Sequence, residues 1–147
     1  MDIEFKSFEE LSNNELYAIL RLRAEVFVVE QNCPYIDLDN HDQNALHLLG
    51  WQGSGLAATT RIFGPGDYFD EYASIGRIAT SPDFRAAGLG RQAVSESITK
   101  IEQLYGGDCR IKIGAQQYLL KFYESFNFVS TGNEYLEDGI PHVYMIR

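Results

Sequence analysis

Three scarcities bound what this 147-residue chain can be. Cysteine is the first: Cys33 and Cys109 are the only two. So few thiols exclude a disulfide-dense secreted scaffold and fit a reducing compartment; two unpaired thiols are the expectation, although a single bridge is compatible with the sequence. Long apolar runs are the second. Nothing approaches the roughly 20 residues of a membrane span, and Met1-Asp2-Ile3-Glu4 is acidic where a secretory signal would be basic. A cytoplasmic protein without a membrane partner is the expectation. Basic charge is the third. Lys and Arg number 12 against 21 Asp and Glu, a formal net charge of −9. That balance argues against general nucleic-acid binding. It favours a cationic substrate such as an amine, with solubility as the plainer reading.

What remains is an ordinary globular composition, long enough for one domain over 1–147 with a sizeable core. The chain is organised around Ile75 to Gln92. Ala73 to Thr80 alternates and is rich in β-branched residues, so it predicts a strand. Ser81-Pro82-Asp83 ends that strand, because proline cannot donate to a ladder. Arg85, Gly88, Gly90 and Arg91 then open an amphipathic helix. Glycines let a ligand approach the backbone, the first-turn N–H groups are free, and the helix dipole and two arginines add positive charge. Such a start suits a pyrophosphate or another anion, whereas the plain reading is tight strand-to-helix packing. It is neither a P-loop nor the Gly-x-Gly-x-x-Gly dinucleotide fingerprint.

Elsewhere Ile3 to Phe8 reads as a strand. Ser12 and Glu15 form a capping-box pattern before a helix that ends near Glu30. The loop from Gln31 to Asp42 carries Asp37, Asp39 and Asp42 without the glycine and glutamate of a calcium loop, so a solvated acidic loop near a substrate entrance is expected and no metal. Ala45–Trp51 and Leu56–Phe63 pair across Gln52-Gly53-Ser54-Gly55. A helix over about 89–105 turns Leu89, Ala93, Val94, Ile98, Ile101 and Leu104 inward and stops at Gly106-Gly107. Strand 110–115, a short helix 117–126 and strands 128–135 and 141–146 complete the chain. The order predicts an α/β fold with a mixed, mainly antiparallel sheet, one central parallel strand pair made by a right-handed crossover, and helices on both faces.

Arg85-Ala86-Ala87-Gly88-Leu89-Gly90 resembles the Gln/Arg-x-x-Gly-x-Gly/Ala signature of the GNAT acetyltransferases. Gln116 and Phe122-Tyr123 stand where that family places an Asn-like residue and a Phe-Tyr pair. Val26 to Tyr35 and Glu137 to His142 resemble more narrowly the ElaA-type branch. The resemblance implies the acyl-CoA N-acyltransferase fold, its parallel strands splayed apart. It further implies acetyl-CoA held by Arg85, Ala86, Gly88, Leu89, Gly90 and Arg91, by backbone of Ile78, Ala79 and Thr80, and by Gln116 and Phe122.

The implied function is transfer of acetyl to a primary amine by direct attack in a ternary complex. That chemistry needs a proton acceptor for the amine, donors for an oxyanion and a proton for the leaving thiolate. Tyr123 is the expected general acid, protonated at pH 7. Glu30, whose apolar neighbours would raise its pKa, is the first candidate base. His47 and His142 have suitable intrinsic pKa values, and a water relay is an alternative. Tyr35, His47, Arg61 and His142 are candidates for the acceptor side, where Arg61 has the alternative of pairing with the acidic loop. The acceptor is a small-molecule or peptide amine. Rival readings are a longer-chain acyltransferase related to autoinducer synthases, a non-catalytic CoA-binding domain and an anion-binding regulatory domain. The sequence leaves oligomeric state open, with a homodimer as the default.

Overall fold

The computed structural model describes residues 1–85 and 87–147. Among these residues seven strands form two antiparallel sheets. β1 (Asp2–Ser7), β2 (Leu46–Gln52), β3 (Gly55–Phe63) and β4 (Ser74–Thr80) lie in that order in one sheet. β5 (Lys112–Gln116), β7 (Ile140–Ile146) and β6 (Val129–Glu137) lie in that order in the other. The expected parallel pair is present as one bridge. Ala73 N–H donates to the Arg110 carbonyl at 3.0 Å, and Lys112 N–H to the Ala73 carbonyl at 2.9 Å. Beyond that bridge β4 and β5 make no further ladder among the described residues, and the two sheets part.

Helices cover both faces of the first sheet. α1 (Asn13–Arg23) starts where the sequence predicts, because Ser12 Oγ accepts from Glu15 N–H at 3.1 Å and Glu15 Oε1 accepts from Ser12 N–H at 2.8 Å. It continues without a break into a π-helical segment, Ala24–Glu30, that sequence periodicity does not distinguish from α-helix. Leu22 and Val26 pack on Ala79. On the opposite face lies α2 (Leu89–Tyr105), whose Ala93 meets Leu48 and Ala58. Val94, Ile98 and Ile101 of α2 join Ile62, Ile75, Ile111 and Ile113, so this helix seals both sheets into one core. Each such aliphatic side chain contributes about 1.5–3 kcal/mol on burial. Leu104 departs from expectation: it sits on the apolar spacing but is half exposed, because the last turn of α2 no longer has a sheet beneath it. The predicted helix 117–126 is shorter, a 3₁₀ turn (Gln117–Leu119) followed by α3 (Leu120–Glu124).

The acidic loop turns its carboxylates inward, while Ile36 and Leu38 stay exposed. Asp37 and Asp42 are only 4% and 6% exposed, and Arg23, on the inner face of α1, is 1% exposed. Arg23 Nε donates to Asp37 at 2.7 Å and its Nη1 to Asp42 at 2.7 Å. Arg61 on β3 grips Asp39 with two bonds, at 2.7 and 2.6 Å, and reaches Asp42 at 3.0 Å. Arg77 on β4 reaches Asp37 at 2.7 Å. Three arginines from three elements neutralise three aspartates of one loop and fix it to the sheet. Burial disfavours the Asp39 and Asp42 carboxylates, but the hydrogen bonds and charge of these arginines outweigh it, holding both below the ordinary carboxylate range.

A cleft between the two sheets

The diverging strands leave a cleft of about 450 Å³. β4 lines one wall from Ser74 to Ile78 and at Thr80; β5 lines the other with Ile113, Gly114 and Gln116. Phe27 and Glu30 from the π-helical segment, Phe122 and Tyr123 from α3, and Glu137, Asp138 and His142 around the β6–β7 turn complete it.

At one end lies the start of α2. Gly88 adopts the left-handed conformation (φ +70°), which a residue with a Cβ adopts only with strain. Having no side chain, Gly88 caps nothing, and no acid stands in the first turn to occupy the free N–H groups. A Cβ built on Gly88 meets nothing within 4 Å among the described residues. An anion fits this cradle. Arg85 beside it donates to both Glu30 oxygens, at 2.6 and 2.7 Å, and to the Thr80 carbonyl at 3.1 Å. Arg91 turns away, to Ser125 Oγ at 2.8 Å and over the Phe126 ring. Leu89 and Ala79 bury their side chains in the core and offer only backbone. Ala86, also expected here, lies outside the described residues.

Tyr123 is 8% exposed and lines the cleft. Phe122 and Phe128 meet its ring edge-on at 5.2 and 6.1 Å, which fixes its orientation. Burial pushes its hydroxyl up to about 12. Gln116 reaches across to Gln31, its Oε1 accepting from Gln31 Nε2 at 3.3 Å.

The base candidates separate sharply. The sequence predicts a raised pKa for Glu30 from burial among apolar neighbours; the structure gives the opposite. The hydrogen bonds from Arg85, together with its charge, lower it, and the carboxylate stays partly exposed. His47 is 1% exposed and does not line the cleft; its Nε2–H donates to the Asp42 carbonyl at 2.9 Å, and burial lowers its pKa. It is a core residue rather than an acceptor contact, because β2 is covered on both faces. His142 does line the cleft. Its Nδ1–H donates to the Ile140 carbonyl at 2.7 Å, its ring stacks on Tyr135, and its Nε2 lies 3.5 Å from Glu137. Tyr35 and Arg61 also reach the cleft, but the Tyr35 hydroxyl bonds to Asp37 at 3.2 Å and Arg61 is committed to Asp39 and Asp42.

Sequence reasoning missed Arg77 and Gln31, both in the cleft. The signal for Arg77 was a charged residue after Gly76 inside an otherwise apolar central strand; Gln31 carried none. Cys33 and Cys109 are free thiols. Among the described residues no cluster of His, Cys, Asp and Glu is arranged to hold a metal ion, and no helix is long and apolar enough to cross a membrane.

Comparison with known proteins agrees with this geometry. The profile of the acetyltransferase (GNAT) domain matches residues 38–147. The protein ElaA of Escherichia coli strain K12 is 41% identical over 140 residues, covering 94% of this chain and 90% of ElaA. The crystal structure of E. coli ElaA superposes with a TM-score of 0.90 at 39% identity, covering 99% of this chain and 98% of that one. An acyl-CoA N-acyltransferase from Pseudomonas aeruginosa superposes with a TM-score of 0.93 at 38% identity, with the same coverage of 99% and 98%.

Proposed function

The chain belongs to the GNAT acetyltransferase family, and from that membership we propose that it moves an acetyl group from acetyl-CoA to a primary amine, both substrates meeting in one complex. The observation that carries this reading is the uncapped start of α2 opening onto a cleft walled by two strand edges. The amides of Gly88, Leu89, Gly90 and Arg91, with the Arg85 guanidinium, hold the diphosphate. The β4 edge at Ile78, Ala79 and Thr80 pairs with the amide-bearing arm as an added strand would. Phe122 packs against that arm and Gln116 offers its amide. Bound acetyl-CoA supplies the activated thioester carbon.

One N–H of Ile78–Thr80 donates to the carbonyl oxygen as negative charge grows there. Tyr123 donates to the departing sulfur. An alkyl amine has a pKa near 10.4 and reaches the site mostly as a cation, which Glu137 and Asp138 in the cleft attract. His142 replaces Glu30 as the favoured base. Its Nδ1–H is held by a backbone carbonyl, which leaves Nε2 of the neutral ring to accept the amine proton, and Glu137 stabilises the imidazolium formed. Arg61 supports the wall rather than gripping the acceptor.

The test is thiol release from acetyl-CoA across a panel of amines and lysine peptides, with a no-amine control and calorimetry of CoA binding. Amine-dependent release is expected. Binding without release from any amine would make this a CoA-binding domain, faster release from long-chain thioesters would make it a long-chain acyltransferase, and no heat at millimolar CoA would remove the reading.

Arg85 must exchange Glu30 for the diphosphate when the donor binds. Glu30→Gln therefore tightens CoA binding by up to about five-fold, the worth of an exposed ion pair. Unchanged or weaker affinity in calorimetry would count against Arg85 as a diphosphate contact.

A further inference from the structure

β4 carries one residue more than its partner requires. Phe63 pairs with Ser74, Ile62 with Ile75 and Arg61 with Gly76, but Thr59 then pairs with Ala79 and Ala58 with Thr80. Arg77 and Ile78 thus stand opposite Thr60 alone, a β-bulge, which bends the strand and takes backbone groups off the β3 ladder. Both residues line the cleft. Arg77 has φ +46°, in the left-handed region. Glycine adopts this region freely, whereas a long L side chain there is strained and persists only if its surroundings enforce it.

The enforcing contacts are on the acidic loop. Arg77 Nε donates to Asp37 Oδ1 at 2.7 Å and its Nη2 to the Asp37 carbonyl at 3.0 Å. Asp37 is itself held by buried Arg23 and by the Tyr35 hydroxyl. A two-point contact on a rigid partner fixes the guanidinium, and through it the backbone of the bulge.

We infer that Arg77 and Asp37 are positioning residues: their contact holds the β4 bulge in the left-handed conformation that turns the Ile78 backbone into the cleft, so Asp37, buried at the root of the acidic loop, sets the geometry of acyl transfer without touching either substrate. The inference rests on the acetyltransferase reading. It also predicts something a substrate-contacting arginine would not: the side chain becomes dispensable when the backbone no longer needs forcing.

The experiment compares Arg77→Ala, Arg77→Met and Arg77→Gly by kcat and KM in thiol release and by thermal melting. Alanine and methionine keep the strain and lose the clamp; kcat falls at least about ten-fold. Glycine adopts the same φ without strain; kcat stays within about three-fold of wild type, and Arg77→Gly melts above Arg77→Ala. An Arg77→Gly variant as inactive as Arg77→Ala would overturn the proposal, because the guanidinium itself would then be required. So would full activity in all three variants, or Arg77→Ala melting at or above Arg77→Gly. The melting order is read without any acyl transfer, so it judges the clamp even where wild-type protein releases no thiol and the acetyltransferase reading fails.

Discussion

Replacing Tyr123 by phenylalanine lowers kcat by about 10- to 100-fold and leaves CoA affinity within about two-fold, the worth of one hydrogen bond to a charged group made only as the reaction proceeds. The packing argument makes the experiment clean. The ring is wedged edge-on between Phe122 and Phe128, so removing one oxygen leaves those contacts intact and the melting temperature close to wild type. The electrostatic argument sharpens the role. Burial raises the hydroxyl to about 12, so it remains a donor throughout the range in which an enzyme is assayed. It also makes complete proton transfer to a thiolate of ordinary thiol pKa, about 8.5, uphill by roughly 3–4 units. Tyr123 therefore steadies the leaving sulfur by hydrogen bonding, and the thiolate collects its proton afterwards. The alkaline limb of the pH–rate profile should be the same in wild type and variant. Wild-type turnover in Tyr123→Phe would remove the assignment.

Arg23→Met produces the largest expected loss of stability. Methionine fills much the same space, but Asp37 and Asp42 lose the guanidinium that both share inside the protein. Breaking a buried pair by removing one partner costs about 3–5 kcal/mol, because the charge left behind has already been taken out of water. Arg77 still reaches Asp37 and Arg61 still reaches Asp42, which keeps the loss within that range. For a chain of this size the melting temperature falls by roughly 6–20 °C. Calorimetric melting within about 2 °C of wild type would mean that the network contributes little.

The parts of the fold that the sequence discloses are those set by neighbours in the chain. Gly88 and Gly106 bracket α2 because one supplies a left-handed turn and the other a stop; Ser12 and Glu15 mark α1 because they cap each other three residues apart. What the sequence hides depends on partners distant in the chain. Asp37, Asp39 and Asp42 look like a solvated run until Arg23, Arg61 and Arg77 arrive from α1, β3 and β4. Glu30 looks like a carboxylate in an apolar setting until Arg85, 55 residues on, claims it. His47 and His142 are equivalent as letters. A strand covered on both faces buries the first, and a hairpin beside the cleft presents the second. The GNAT signature points to a candidate anion end because it is local; the candidate acceptor end, at the last hairpin, has no such signature.

Among the described residues a single bridge, Ala73 to Ile111, joins the two sheets, which leaves the rest of both strand edges open to an added strand. Beyond that bridge β4 and β5 each leave a row of peptide groups unsatisfied by a neighbouring strand, and an exposed row of this kind is a template for pairing with another chain. Here the rows face inward, where an arm with amides of its own can serve as a removable rung. Hydrogen–deuterium exchange should register this directly: saturating CoA slows the amides of residues 76–80 by about ten-fold or more and leaves β2, already paired on both sides, unchanged.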